Sequence, residues 1–149
     1  MKQHYQNHQN RTLVSAGGMV YRNVGRELEI VVCRRYSPNV CGLPKGTIES
    51  GETQRETALR EVQEETGLEV QDTGLIGDIS YSFMNTKLGI QYDKKVYFYL
   101  MRPTGGDLSR HDDEYDFVEW VAVKKATSVL TYKSEANIVL KGVSMVPAE

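Results

Sequence analysis

A chain of 149 residues with no Pro/Gly/Ser-rich divide is of single-domain size, long enough to bury one sizeable core. Its 18 basic and 20 acidic residues leave a net charge of −2, which argues against a globally basic binder of nucleic acid or membrane surface. No apolar run of about 18 residues is present and no cationic start leads into an apolar stretch, so a soluble, cytoplasmic protein without a membrane partner is expected. Cys33 and Cys41 are too few for a disulfide framework and lack zinc-site neighbours, so two reduced thiols are expected.

Residues 1–12 are rich in Gln, Asn and His and almost free of aliphatics, so they read as a flexible polar tail ahead of a single domain over 13–149. His4 and His8 fall in this tail and are assigned no metal. From Leu13 the texture changes: residues 13–22 and 28–36 are short β-rich runs separated by the turn-forming Asn23 to Arg26, a strand pair. Residues 37–52 carry two prolines and three glycines with few aliphatics, and read as a long ordered loop of the kind that is often functional.

Thr53 followed three residues later by Glu56 is a capping box, and Thr66-Gly67-Leu68 is a helix stop, so a helix of about four turns is expected between them. At 100° per residue Leu59, Val62 and Thr66 point toward a core with Ala58 on the margin, and Glu56 and Arg60 are spaced to attract. Glu61, Glu64 and Glu65 share another face, where like charges repel. An acidic helix face is ordinarily just solvated. A hard dication held by carboxylates and substrate phosphates would give these three a purpose. The loop in front adds Gly42, Gly46 and Gly51 for close backbone approach, Lys45 as a cation and Glu52 before the cap. Downstream, residues 75–83, 94–102 and 116–123 look like strands and 123–143 like one or two helices, together a mixed sheet covered by helices in an α/β fold.

Gly46, five residues, Glu52, seven residues and then Arg60-Glu61-Val62-Gln63-Glu64-Glu65-Thr66-Gly67-Leu68 together resemble the Nudix box, complete at every defined position over 23 residues. The likeness extends over roughly Leu13 to Val143 and implies the family's α/β/α sandwich. It implies Mg2+ or Mn2+ as cofactor, with Glu61, Glu65 and the Gly46 carbonyl as ligands. Glu64 would share the metal cluster or act as base, and Arg60 and Glu52 would support them. Glu114, next to Asp112 and Asp113, stands where the family often adds a carboxylate.

The expected reaction is hydrolysis of a pyrophosphate bond in a nucleotide linked to another group. Leu43-Pro44-Lys45-Gly46 resembles the loop of dinucleoside polyphosphate hydrolases, where Lys45, Arg34 and Arg35 would neutralise a long phosphate chain and Tyr81 would contact a base. Alternating strand positions allow only one of the two arginines to face inward. Where relatives often carry an aromatic residue before this loop, the chain has Cys41-Gly42. Nucleoside triphosphates, ADP-ribose or an RNA 5′ end are alternative substrates, and a non-catalytic nucleotide sensor is the alternative class.

Overall fold

The structure, a computed structural model, describes residues 9–148, so His4 and His8 lie outside the described residues. A mixed sheet runs β3-β2-β1-β6-β5, with β4 pairing β1 and β7 pairing β2. Its strands are β1 (Gln9–Val24), β2 (Glu27–Tyr36), β3 (Asn39–Gly42), β4 (Lys45–Thr47), β5 (Leu68–Asn85), β6 (Ile90–Gly106) and β7 (Phe117–Ala122). The β1–β6 pair is parallel and the other pairs are antiparallel. One helix, α1 (Gln54–Thr66), packs on one face, while α2 (Val123–Val129) and α3 (Lys133–Met145) pack on the other. Strand alternation splits the core accordingly. Ala16, Val20, Val31, Tyr99 and Met101 meet Ala58 and Val62 of α1, whereas Met19, Val32, Phe98 and Leu100 meet Ile138 and Val139 of α3. This is the expected α/β/α sandwich.

Several boundaries differ from the sequence reading, each for a pairing reason. β1 begins at Gln9, inside the segment read as a tail, because Gln9–Thr12 pair with Ile90–Asp93. The stretch read as a loop contains β3 and β4: Cys33–Tyr36 pair with Asn39–Gly42, and Ser15–Gly17 with Lys45–Thr47. β5 starts at Leu68, directly after the helix stop, rather than near residue 75.

α1 forms as its ends dictate. The Glu56 N–H donates to the Thr53 hydroxyl at 3.1 Å and the Thr53 N–H to the Glu56 carboxylate at 2.8 Å. Gly67 closes the helix at φ 77°, a left-handed conformation that favours glycine. The buried face is rotated from the expected one: Thr57, Ala58, Val62, Glu65 and Thr66 are buried, and Leu59 is only half-buried. One of the three clustered carboxylates therefore points at the core. Among the described residues no helix is long and apolar enough to cross a membrane.

Candidate active site

The Arg60 guanidinium is the hub of the site. Its Nε and Nη2 donate to the two oxygens of Glu52 at 2.6 and 2.9 Å, a fork-on-fork pair. Nη1 reaches Glu61 at 2.7 Å and Glu64 at 3.3 Å, and Nη2 also reaches the Thr47 carbonyl at 3.2 Å. One side chain thus ties the loop, the segment before the helix and the acidic helix face together. Arg60 does not pair with Glu56, whose carboxylate is occupied by the helix cap. Glu52 also accepts from the Glu49 N–H and the Thr57 hydroxyl. Arg60, followed by these donors, holds its carboxyl down to about 2, so it stays ionised.

The three clustered carboxylates have distinct surroundings. Glu64 is half exposed. Burial pushes Glu61 up, and Arg60 opposes the shift. Glu65 is 4% exposed, accepts the Lys45 N–H at 3.2 Å, and is pushed up to about 9, first by burial and further by the charges of Glu61 and Asp112. Gly46 lies hard against this face: a Cβ there would stand 1.3 Å from Glu61 Oε2, so any side chain would displace the Glu61 carboxylate.

Glu61, Glu64, Glu65 and the Gly46 carbonyl supply hard oxygen donors, and a glycine cradle holds one carboxylate at the loop. That donor set suits Mg2+ or Mn2+, which bind through one or two carboxylates, waters and substrate phosphates rather than in a dedicated cage. Among the described residues no three acidic, His or Cys side chains converge on one point.

The other expected site residues are scattered. Arg34 pairs with Glu119 at 2.7 Å and Arg35 with Glu114 at 3.1 Å, on opposite faces of β2 by alternation. Each arginine is engaged by a carboxylate, and because the two face opposite sides of the strand they do not gather together beside Lys45. Of the acidic run Asp112 to Glu114, Asp112 is tied to α1: its N–H donates to the Glu64 carbonyl at 2.9 Å and its charge acts on Glu65. Glu114 pairs with Arg35.

Lys45, opposite Gly17 in the β1–β4 pair, lies on the α3 side of the sheet, where its Nζ is 3.6 Å from Glu135. Lys94, in register with Leu13 and Tyr81, shares that side, and its pKa is lowered by burial and by the Lys45 charge. Tyr81 is exposed and stacks toward Phe83, which stacks on Tyr92 at centroid distances of 6.2 and 5.0 Å. Next to this strip is a shallow pocket of about 300 Å3 lined by Thr12, Tyr81, Asp93, Lys94 and Lys95.

Sequence reasoning missed Lys94 and Glu135, and within the run Asp112 to Glu114 it chose Glu114. For Glu135 a signal existed: it falls on the stripe of Ile138, Val139 and Gly142, where a helix buries its side chains.

A family model, the NUDIX domain, matches residues 11–141. The chain belongs to the Nudix family of hydrolases. The "Putative mutator protein MutT4" of Mycobacterium tuberculosis (strain CDC 1551 / Oshkosh) is 38% identical over 130 residues, covering 83% of this chain and 52% of that protein. An "8-oxo-(d)GTP phosphatase" of Mycolicibacterium smegmatis (strain ATCC 700084 / mc(2)155) is 29% identical over 136 residues, covering 85% of this chain and 40% of that protein. The Nudix chain thus spans about half the length of these relatives. A C. elegans Ap4A hydrolase binary complex superposes with a TM-score of 0.67 at 19% identity, covering 89% of this chain and 96% of that one, and so shares the fold.

Proposed function

We propose that this Nudix domain hydrolyses a phosphoanhydride bond in a nucleotide with the help of a divalent cation. The observation that carries this reading is the Arg60 hub, which fixes Glu52, Glu61, Glu64 and the loop carbonyl of Thr47 in one unit beside Gly46. A purely solvated acidic face would not be organised around one arginine with a glycine fitted against a carboxylate. Glu61, Glu65, Glu64 and the Gly46 carbonyl are the proposed holders of Mg2+ or Mn2+. The bound cation would polarise the bridging phosphates and acidify a water. Glu64, half exposed and in longer contact with Arg60 than Glu61 is, takes the proton of the attacking water on its carboxylate. Arg60 and Glu52 hold the loop and helix in place, the kind of support that fixes ligand geometry. The two free, buried thiols support a reducing, cytoplasmic setting.

For the substrate, the pairing of cations with aromatics on the α3 side supports a dinucleoside polyphosphate. Lys45 and Lys94 are the phosphate contacts, and Tyr81 with Phe83 and Tyr92 offers a stacking strip for a base. A second reading is favoured by the name of one mycobacterial relative, an 8-oxo-(d)GTP phosphatase: hydrolysis of an oxidised nucleoside triphosphate.

Incubation of the pure protein with Mg2+ and diadenosine tetraphosphate, ATP, 8-oxo-dGTP, ADP-ribose or triphosphorylated RNA, followed by chromatography, separates these readings. Asymmetric cleavage of the dinucleotide to ATP and AMP, with the others slow, is the expected result. Preference for 8-oxo-dGTP would replace it with the second reading. No turnover of any substrate with Mg2+ or Mn2+ would count against the hydrolase itself. Lys45→Ala is expected to raise the KM for diadenosine tetraphosphate more than that for ADP-ribose, and equal effects would make Lys45 scaffold.

A further inference from the structure

Glu135 is a fully buried carboxylate, 2% exposed, on a helix that otherwise turns Ala136, Ile138 and Val139 toward the core. Its two oxygens are divided between two points of the active-site loop. Oε1 accepts the Leu43 N–H at 2.8 Å and Oε2 lies 3.6 Å from the Lys45 ammonium. On the opposite side of the same segment the Lys45 N–H donates to Glu65 of α1. The turn before α3 adds a second tie, with the Thr131 hydroxyl accepting the Cys41 N–H at 2.8 Å and the Thr131 N–H donating to the Cys41 carbonyl at 2.9 Å. The loop is therefore held between a carboxylate from each helical layer.

Stability alone does not account for this carboxylate. Removing a carboxylate from water is costly, and one backbone N–H with a loosely placed ammonium compensates incompletely. An apolar side chain of similar length would fill the same space without that cost. We infer that Glu135 is a positioning residue: by holding Leu43 and Lys45 it sets where the Gly46 carbonyl and the Lys45 ammonium stand relative to the carboxylates of α1. It touches no reacting atom and acts through the loop.

Two variants of the full chain separate this role from packing. Glu135→Met keeps the length and apolar fit but removes the acceptor, whereas Glu135→Gln keeps an acceptor for the Leu43 N–H. Amide hydrogen exchange over residues 43–47, without substrate, is expected to speed up at least tenfold in the Met variant and to stay near the parent in the Gln variant. The Met variant should unfold at or above the parent's Tm, yet turn over diadenosine tetraphosphate with at least tenfold lower kcat and need more Mg2+ for half-maximal rate. Glu135→Gln should recover most of both losses. Unchanged exchange in the Met variant, or its failure to fold, would overturn the inference, the latter by making Glu135 a residue of stability. The kinetic arm rests on the proposed function. If the parent leaves diadenosine tetraphosphate intact, that substrate reading fails, while the exchange experiment still decides the role of Glu135.

Discussion

Substituting Glu65 by Gln should make the protein more stable and far less active, and the stability gain should depend on pH. Glu65 is buried, and its carboxyl is pushed up to about 9 from an ordinary value of 4.5, with burial as the main cause. The folded-state value is the higher one, so folding favours the protonated form. The stability associated with that proton is fully present below about 4.5 and is lost as pH rises from there through about 9. At 1.36 kcal/mol per unit, the loss at pH 7 is about 3 kcal/mol. Glutamine is neutral at every pH and can still accept the Lys45 N–H, so Glu65→Gln avoids this loss. For a chain of this size such a gain corresponds to roughly 10 °C in Tm. Thermal unfolding of both proteins in EDTA should show little difference at pH 4.5 and a gap that widens steadily toward pH 8. Mg2+ should narrow the gap by stabilising only the parent, and turnover of the variant should fall by orders of magnitude. A gap of the same size at pH 4.5 and pH 8 would refute the buried-carboxylate argument. A variant as active as the parent would refute the assignment of Glu65 to the metal.

Gly46→Ala inserts a methyl into space held by Glu61 Oε2, so it should raise the Mg2+ concentration for half-maximal rate at least tenfold while leaving Tm within a few degrees, read by metal titration of the rate. Arg60→Lys cannot form the forked pair with Glu52, so turnover should drop ten- to a hundredfold. In that variant the Glu52 carboxyl should rise from about 2 toward the ordinary range, read by NMR titration. Asp112→Asn removes a charge that raises Glu65 and should move the ascending limb of the pH–rate profile to lower pH, whereas Glu114→Gln, at a residue paired with Arg35, should move it far less.

Local signals carried the reading where the chemistry is local. The capping box, the glycine stop and the box residues are all contained within 23 consecutive positions, so α1 and the identity of its carboxylates were readable directly. Pairing partners are not local. Gln9–Thr12 look too polar to order until Ile90–Asp93 lie beside them, and Lys45–Thr47 look like loop until Ser15–Gly17 provide an edge. The same limit governs the cations. That Arg34 and Arg35 each have a carboxylate partner is not legible in the sequence, because Glu119 and Glu114 lie 85 and 79 residues away along the chain. Periodicity also misplaced the buried face of α1 by about one residue. A weakly amphipathic helix leaves that rotation to tertiary packing, here the contact of Ala58 and Val62 with β1 and β6.

The three residues of β4 explain how both layers serve one site. Successive strand residues face opposite sides, so Gly46, opposite Ala16, meets Glu61 from the α1 layer, while Lys45, opposite Gly17, meets Glu135 from the α3 layer. A one-residue slip of β4 would exchange these faces, bringing a lysine against the α1 carboxylates and removing the glycine on which the Glu61 contact depends. The hydrogen bonds from Leu43 to Glu135 and from Lys45 to Glu65 oppose that slip from both sides. The proposed carboxylate chemistry and the proposed cation-and-aromatic recognition strip can therefore vary separately, because they belong to different faces of the sheet and meet at β4. Substitutions at Tyr81 or Lys94 should then act on which nucleotide is chosen, and substitutions along Glu61 to Glu65 on whether any is cleaved.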